Sequence, residues 1–394
     1  MERFDAIVIG GGVIGTSIAY HLARFDAGRV LLLERDAMGS GTSAQSSCIV
    51  RTHYSVPENV ALARAALDIF ADLPNYLGDA DAACGLNRCG LMLISPSGER
   101  AVALRQTLAL QRSVGVMAEE LGADEAQRIH PLLSIDDDPV IGWEPGAGHA
   151  DAYLTLSSFA RAARRCGAIL REGVAVTGLT REGNRVTGVE TAEGPISAGL
   201  VVSAQNIWSG ELASWTGIDV PLAPMRHAVM TLEAAASYTP DLPVVMDWVP
   251  KDGVYFRSYG GRQVLVGDTG DGERLDAPDV RQADVALDHV AAIGALLGRR
   301  MPAFAEAGLA TSWTGVYDVT PDWNPVLGPL PGIDGLHVAF GFSGHGFKLS
   351  PMVGRIVAQS VLGIAPDLSL APYSIARFAG GRLLVGGYGA SVVG

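Results

Sequence analysis

Apolar residues in this chain fall in short blocks divided by glycine, and two blocks share one order: strand, glycine turn, helix. Asp5-Ala6-Ile7-Val8-Ile9 has the β-branched content of a buried parallel strand. It runs into Gly10-Gly11-Gly12-Val13-Ile14-Gly15 and a helix-like stretch through Ala23, after which a second apolar run, Val30 to Leu33, ends in Glu34. Near the other end, Leu336–Phe340 predicts a strand, Gly341 to Gly346 a glycine-rich turn, and Leu349–Leu362 a helix.

Between these units the pattern is interleaved. Helical spacing runs from about Ser157 to Cys166, followed by short strands at Ala168–Leu170, Val174–Leu179 and Arg185–Thr191 with turns such as Glu182-Gly183-Asn184. Leu200–Ala204 is another buried-strand run. Strand-like pieces follow at Arg226–Leu232, Gly253–Arg257 and Gln263–Gly267; Gly267-Asp268 reads as a strand end and Thr269-Gly270-Asp271-Gly272 as a turn. A polar helix-like stretch spans Val280–Leu297, and the glycine-rich residues 380–394 read as loosely held.

The N-terminal unit has the order of a dinucleotide-binding site. Gly10 permits a tight turn, Gly12 lets a pyrophosphate approach the backbone, and Gly15 lets helix and strand pack closely. The helix N-terminus offers N–H groups and a positive dipole end to phosphates. Glu34 stands where a carboxylate can accept from a ribose 2′-hydroxyl. NAD(P) and FAD both fit such a unit; the presence of one glycine fingerprint argues against a second bound dinucleotide.

Composition narrows the function further. The 394 residues are 48% hydrophobic, enough for a sizeable core in two or three domains. A formal charge of −13 disfavours nucleic acid and anionic membrane surfaces as partners. No apolar run reaches the roughly 18 residues of a membrane span. Met1–Asp5 leads straight into the first strand, so no signal peptide is expected, and the four cysteines (Cys48, Cys84, Cys89, Cys166) suggest reduced thiols in a cytoplasm. Cys84 and Cys89 lack zinc-site spacing, and no metal is expected.

The N-terminal fingerprint with Glu34, the run Leu200–Ser209 ending in Trp208-Ser209, and Gly341-Phe342-Ser343-Gly344-His345-Gly346-Phe347-Lys348 together resemble the FAD-dependent D-amino acid oxidase superfamily, sarcosine oxidase branch, including its β subunits. The resemblance covers nearly the whole chain. It implies an α/β fold with an α+β inserted part: a Rossmann-type FAD domain of the glutathione-reductase-like kind from residues 1–80, 145–215 and 325–394, and a mixed-sheet substrate domain from 81–144 and 216–324. It places Gly10, Gly12 and Gly15, with Val13 and Ile14, at the pyrophosphate, and Glu34 and Arg35 at the adenosine ribose. Thr42, Ser43 and Gln45 would lie along the pyrophosphate toward the isoalloxazine, and Val174 would meet adenine through its backbone. Ala204, Gln205 and Trp208 match a segment usually written Ala-Ala-Gly-Ala-Trp, here Ala204-Gln205-Asn206-Ile207-Trp208. Gly344, His345, Gly346, Phe347 and Lys348 would supply N–H groups and a cation where negative charge develops on the reduced flavin.

The same resemblance implies the substrate side. Arg51 matches an arginine that binds the substrate carboxylate and Lys348 a lysine that assists it, a fork and a point charge suited to a carboxylate. Tyr255 and Tyr317 match pocket positions, and His345, His53 and His227 are candidates for proton handling. The implied reaction oxidises the C–N bond of a small secondary or N-methyl amino acid by hydride transfer to flavin N5, with hydrolysis of the imine. A D-amino acid, glycine or proline substrate is an alternative. A flavin-carrying subunit of a hetero-oligomeric amine dehydrogenase is another, with Trp313 and Trp323 as interface anchors. O₂ or another acceptor would take the electrons, in a homo- or hetero-oligomer. Departures are informative: Leu265 and Thr269 replace a lysine and a histidine of monomeric sarcosine oxidase, and Cys48 replaces a second arginine. Gly315 stands where a cysteine tethers FAD, so non-covalent FAD is expected.

Overall fold

The computed structural model describes residues 2–136, 138–234, 242–250, 253–270, 272–280 and 283–391. Asp271 of the expected turn, residues 281–282 of the expected helix and residues 392–394 lie outside these.

The apolar runs of the two glycine units assemble side by side. One sheet takes the spatial order Val326–Pro329, Leu336–Phe340, Leu200–Ser203, Ala6–Ile9, Val30–Leu33, Ile169–Arg171. All its neighbours are parallel except the edge pair Val326–Pro329 with Leu336–Phe340. Ala6–Ile9 lies at the centre, with Ala6 facing Leu200 on one side and Val30 on the other. Its four residues are buried because both faces are covered, which explains a continuous rather than alternating apolar run.

Alternate side chains enter different cores. Ala6 and Val8 pack with the helices Val13–Arg24, Ala152–Arg165 and Gly346–Val361; Ile7 and Ile9 pack with a three-stranded antiparallel layer, Val176–Glu182, Arg185–Thr191 and Ile196–Ser197. The first and last of those helices approach closely: a Cβ at Gly354 would lie 2.1 Å from Ser17 Oγ.

The second large sheet runs Glu273–Arg274, Ala223–Glu233, Gln263–Asp268, Val254–Gly260, Val244–Asp247, Leu91–Ser95, Val140–Glu144, Glu119–Leu121, with Gly308–Val319 paired along Ala223–Glu233. It is mixed, since Val244–Asp247 and Leu91–Ser95 are parallel while their neighbours are antiparallel. Helix Leu287–Arg300 packs on one face against Val245, Phe256 and Val264; Leu104 and Leu108 of helix Glu99–Ser113 pack on the other with Leu93 and Leu265. Arg300 Nε donates to Asp247 Oδ2 at 2.7 Å, fully buried, and fixes the first of these helices.

Several elements differ from expectation. The helix read over Val280–Leu297 begins at Leu287, after Ala286 in extended backbone, and reaches Arg300. The helix read from Ser157 starts at Ala152, where the Asp151 carboxylate caps Leu154 N–H at 2.7 Å. The helix read from Leu349 starts at Gly346. Helices Pro57–Ala71 and Glu99–Ser113 were not anticipated. Within the stretch read as loosely held, Leu384 is tied down: its N–H donates to Asp322 Oδ2 at 3.0 Å, and Asn324 Nδ2 donates to its carbonyl oxygen at 2.9 Å.

Candidate active site

At the centre of the parallel sheet the chain leaves Ile9 and must turn at once into a helix. Gly10 does so at φ 106°, where a Cβ would lie 2.5 Å from Ala204 O. The helix start, Gly12 through Ile14, opens onto a cavity of about 590 Å³, and its first turn holds no acidic residue. Gly15 does not line it. A Cβ there would lie 1.8 Å from Gly10 O, so Gly15 serves the packing of turn on helix instead.

Glu34 leaves the second strand beside this turn. Its Oε2 accepts from Gly11 N–H at 2.7 Å and its Oε1 from Asp36 N–H at 2.9 Å, which fixes the carboxylate at the cavity wall. Arg35 lies over the Trp208 ring at 3.8 Å, and both line the cavity. Ser43 Oγ accepts from Val13 N–H at 3.2 Å, and Thr42 Oγ1 bonds Asn206 Oδ1 at 3.1 Å. Gln45 reaches from its short helical turn to the second sheet: its Oε1 accepts from Val316 N–H at 3.2 Å and its Nε2 donates to Val280 O at 3.1 Å. Val174, Ala204 and Gln205 line the same cavity, as do Gly344, Gly346 and Phe347. Such a long, glycine-floored groove at a helix N-terminus, with a held acid on the second strand, fits a dinucleotide such as FAD. Gly315 borders it, with Gln45 Cβ 3.4 Å from where a Cβ would stand.

A smaller cavity, about 310 Å³, adjoins the first through shared walls at Tyr255, Tyr317, His227 and Gly344. Arg51 and Lys348 both face it, and both are buried. Arg51 donates to His53 O, with its guanidinium 4.4 Å over the Tyr54 ring. Lys348 makes neither hydrogen bond nor ion pair among the described residues; burial, and then the charge of Arg51, holds its ammonium well below the usual lysine range. Two adjacent buried cations make this cavity a place for an anion. Asp268 and Glu99 supply negative charge elsewhere on its wall.

Tyr255 and Tyr317 stand between the two cavities. Burial, then Asp268, pushes the Tyr317 hydroxyl up to about 12; burial raises that of Tyr255 well above its ordinary value. His227 stacks on Tyr317 at 4.1 Å. The His345 ring, expected to handle protons, lines neither cavity: it is fully buried against Tyr54 at 5.2 Å, and burial, then the charge of Lys348, lowers its pKa well below the usual imidazole range. Lys348 lines the smaller cavity rather than the larger. Trp313 and Trp323, expected as interface anchors, are half-buried; Trp313 Nε1 donates to Gln45 O at 3.3 Å and Trp323 lines the smaller cavity.

Sequence reasoning missed the support behind Arg51. The buried Glu144 carboxylate accepts from Thr52 N–H and Oγ1, both at 2.8 Å, and from Gln111 Nε2 at 3.0 Å. Burial raises its pKa, against these donors and Arg51. Gln111 Oε1 in turn bonds His53 Nδ1 at 3.0 Å, and His53 Nε2 meets the Tyr388 hydroxyl at 2.9 Å. Asp318 was also missed. It accepts from Gly341 N–H at 2.6 Å and Ser343 N–H at 3.2 Å, pinning the turn before Lys348, and burial pushes its carboxyl up to about 6. No sequence signal marked them; the structure does, since Ser343 lies at φ 49° and Cys48, three residues before Arg51, at φ 56°. Non-glycine residues in that region gather where a site imposes its own geometry.

Residues 5–360 match the family described as FAD dependent oxidoreductase. The chain is 30% identical to sarcosine oxidase subunit beta of an Arthrobacter species over 389 residues, covering 97% of this chain and 93% of that one. It is 28% identical over 379 residues to 4-methylaminobutanoate oxidase (formaldehyde-forming) of Paenarthrobacter nicotinovorans; that match takes in 95% of this chain but 45% of the relative's length. In structure it resembles the L-proline dehydrogenase from P. horikoshii, with a TM-score of 0.88, 26% identity and coverage of 97% and 99% of the two chains.

Proposed function

Because this chain belongs to the FAD-dependent oxidoreductase family, we propose that it oxidises the C–N bond of a small secondary or N-methyl amino acid. One observation carries the reading: Arg51 and Lys348, two buried cations, face one small cavity that opens onto the cofactor groove. FAD, when bound, would supply a two-electron acceptor for the hydride of the carbon beside nitrogen, and water would hydrolyse the imine product. The chain's own work is placement. Arg51 and Lys348 hold the carboxylate, while Tyr255 and Tyr317 wall the junction and exclude bulk water. Glu144 steadies the Arg51 segment through Thr52. Gly12 to Ile14 and Glu34 would hold the diphosphate and ribose of FAD, and Gly315 offers no side chain to tether it.

In this reading residues 1–80, 145–215 and 325–394 form the FAD-binding part, and residues 81–144 and 216–324 cover the substrate. Support comes from sarcosine oxidase subunit beta and 4-methylaminobutanoate oxidase, both named for N-methylated amino acids or their oxidation. The likeness to a proline dehydrogenase keeps cyclic secondary amines in the same class. Leu265 is buried and apolar where a lysine assists oxygen in monomeric sarcosine oxidase, which favours an acceptor other than O₂.

The test is anaerobic absorption spectroscopy of the purified protein with sarcosine, 4-methylaminobutanoate, proline, glycine and D-alanine. Bleaching of the flavin band by an N-methyl or cyclic secondary amine is expected. Bleaching by primary amines alone, or by none, overturns the reading. Oxygen uptake compared with reduction of an artificial dye then identifies the acceptor.

A further inference from the structure

The segment Leu384–Ser391 lies beyond the residues that match the family, yet it reaches the candidate substrate cavity. Gly387, Tyr388 and Ser391 line that cavity together with Met246 and Trp248. We infer that this segment is a specificity-determining wall, and that the Tyr388 ring sets how long an amino acid fits. The inference rests on the carboxylate clamp proposed above and names the size class that clamp admits.

Three observations fix the ring in place. The segment is anchored before the ring: Leu384 bonds Asp322 and Asn324 at 3.0 and 2.9 Å. The turn itself is shaped by glycine. Gly389 takes φ 73° and its N–H donates to Gly386 O at 3.1 Å, so Tyr388 sits near the apex. A Cβ at Gly386 would lie 2.2 Å from Ser55 Oγ, so only glycine lets this turn lie so close. The ring is then held on two sides, 5.3 Å from Trp248 and 5.6 Å from His53 between centroids.

A further observation ties wall to clamp. The Tyr388 hydroxyl meets His53 Nε2 at 2.9 Å; His53 meets Gln111; Gln111 donates to Thr52 Oγ1 and to Glu144, each at 3.0 Å. Thr52 follows Arg51 in the chain. One buried polar network therefore sets both the cation that grips the carboxylate and the aromatic ring at the cavity wall. A ligand gripped at one end meets a wall at a set distance, and a rigid apolar wall discriminates by length. With the ring of Tyr388 as that wall, the class admitted is a short amino acid without a bulky side chain.

The experiment measures binding, apart from turnover. The holoenzyme is titrated calorimetrically with acetate, butyrate and phenylacetate. The native chain is expected to bind acetate and butyrate more tightly than phenylacetate. Tyr388→Ala should raise the ratio of phenylacetate to acetate affinity by about tenfold, the scale of a small steric change in an apolar pocket. Tyr388→Phe, which keeps the ring, should restore the native ratio. An unchanged ratio in Tyr388→Ala, with acetate still bound, overturns the wall and leaves the clamp standing. The wall is also overturned if Tyr388→Phe behaves like Tyr388→Ala, or if the native chain takes phenylacetate as readily as acetate. Binding of no acid by the native holoenzyme overturns the clamp and the wall with it.

Discussion

The groove assigned to FAD has its phosphate-side turn and its acid on one stretch, Ala6 to Glu34, with further walls brought from Val174, Ala204, Gly315 and Gly344, whereas the smaller cavity has no such local unit and gathers Arg51, Trp248, Tyr255, Tyr317, Lys348 and Tyr388 from separate segments. The first is held by backbone: glycines that no Cβ can replace, and N–H groups that fix Glu34. The second is held by side chains, buried polar groups each dependent on another. Backbone-built sites break outright when a glycine is lost, while side-chain-built sites lose function by degrees and carry a dependence on pH.

The largest effect should come from the backbone side. Gly15→Val forces a Cβ into Gly10 O, 1.8 Å away, and costs about 3 kcal/mol or more. Purified protein should be colourless or insoluble; a normal flavin-to-protein ratio at unchanged melting temperature would count against the groove. Next, Arg51→Met should weaken carboxylate binding by about 10²–10³-fold, because Lys348 alone is a point charge, while the flavin content stays native. Loss of FAD instead of carboxylate affinity would erase the contrast between the two regions.

The pH response should be smaller and graded. A bound carboxylate favours the charged form of Lys348, whose pKa in the free protein is held well below its ordinary 10.5 by burial and Arg51. Binding therefore takes up a proton above that lowered value. Affinity should be greatest below it and fall by up to about tenfold per pH unit until the pKa of the bound state is passed. Lys348→Met should flatten the profile measured by calorimetry; a native slope in that variant places the proton elsewhere. The smallest change should follow Arg35→Ala. Losing its exposed contact with Trp208 should weaken FAD binding by about threefold, read by fluorescence titration of the apoprotein.

The same contrast explains what was legible. Val30–Leu33, Arg185–Thr191 and Leu336–Phe340 are read from sequence with their observed limits, since buried runs between turns carry a strong local pattern. Helix Leu287–Arg300 was misplaced at its start because the polar residues before it carry no period and no cap. Arg51 and Lys348 were singled out through the family resemblance, and both line the smaller cavity. Glu144, Gln111 and Asp318 were not, because nothing near them in sequence states that they are buried or what they bond. Tyr388 was lost for the opposite reason: its glycine-rich surroundings look like a frayed end, and only tertiary contact turns them into a fitted turn.

The central strand has a further meaning for biosynthesis. Ala6–Ile9 leaves the ribosome early, but its neighbour Leu200–Ser203 and the next strand, Leu336–Phe340, emerge far later, and helix Gly346–Val361 then packs against Val13–Arg24. A nascent chain can pair Ala6–Ile9 with Val30–Leu33 at once, but its other edge and the face of Val13–Arg24 wait for segments made last, so the groove is complete only in the finished polypeptide.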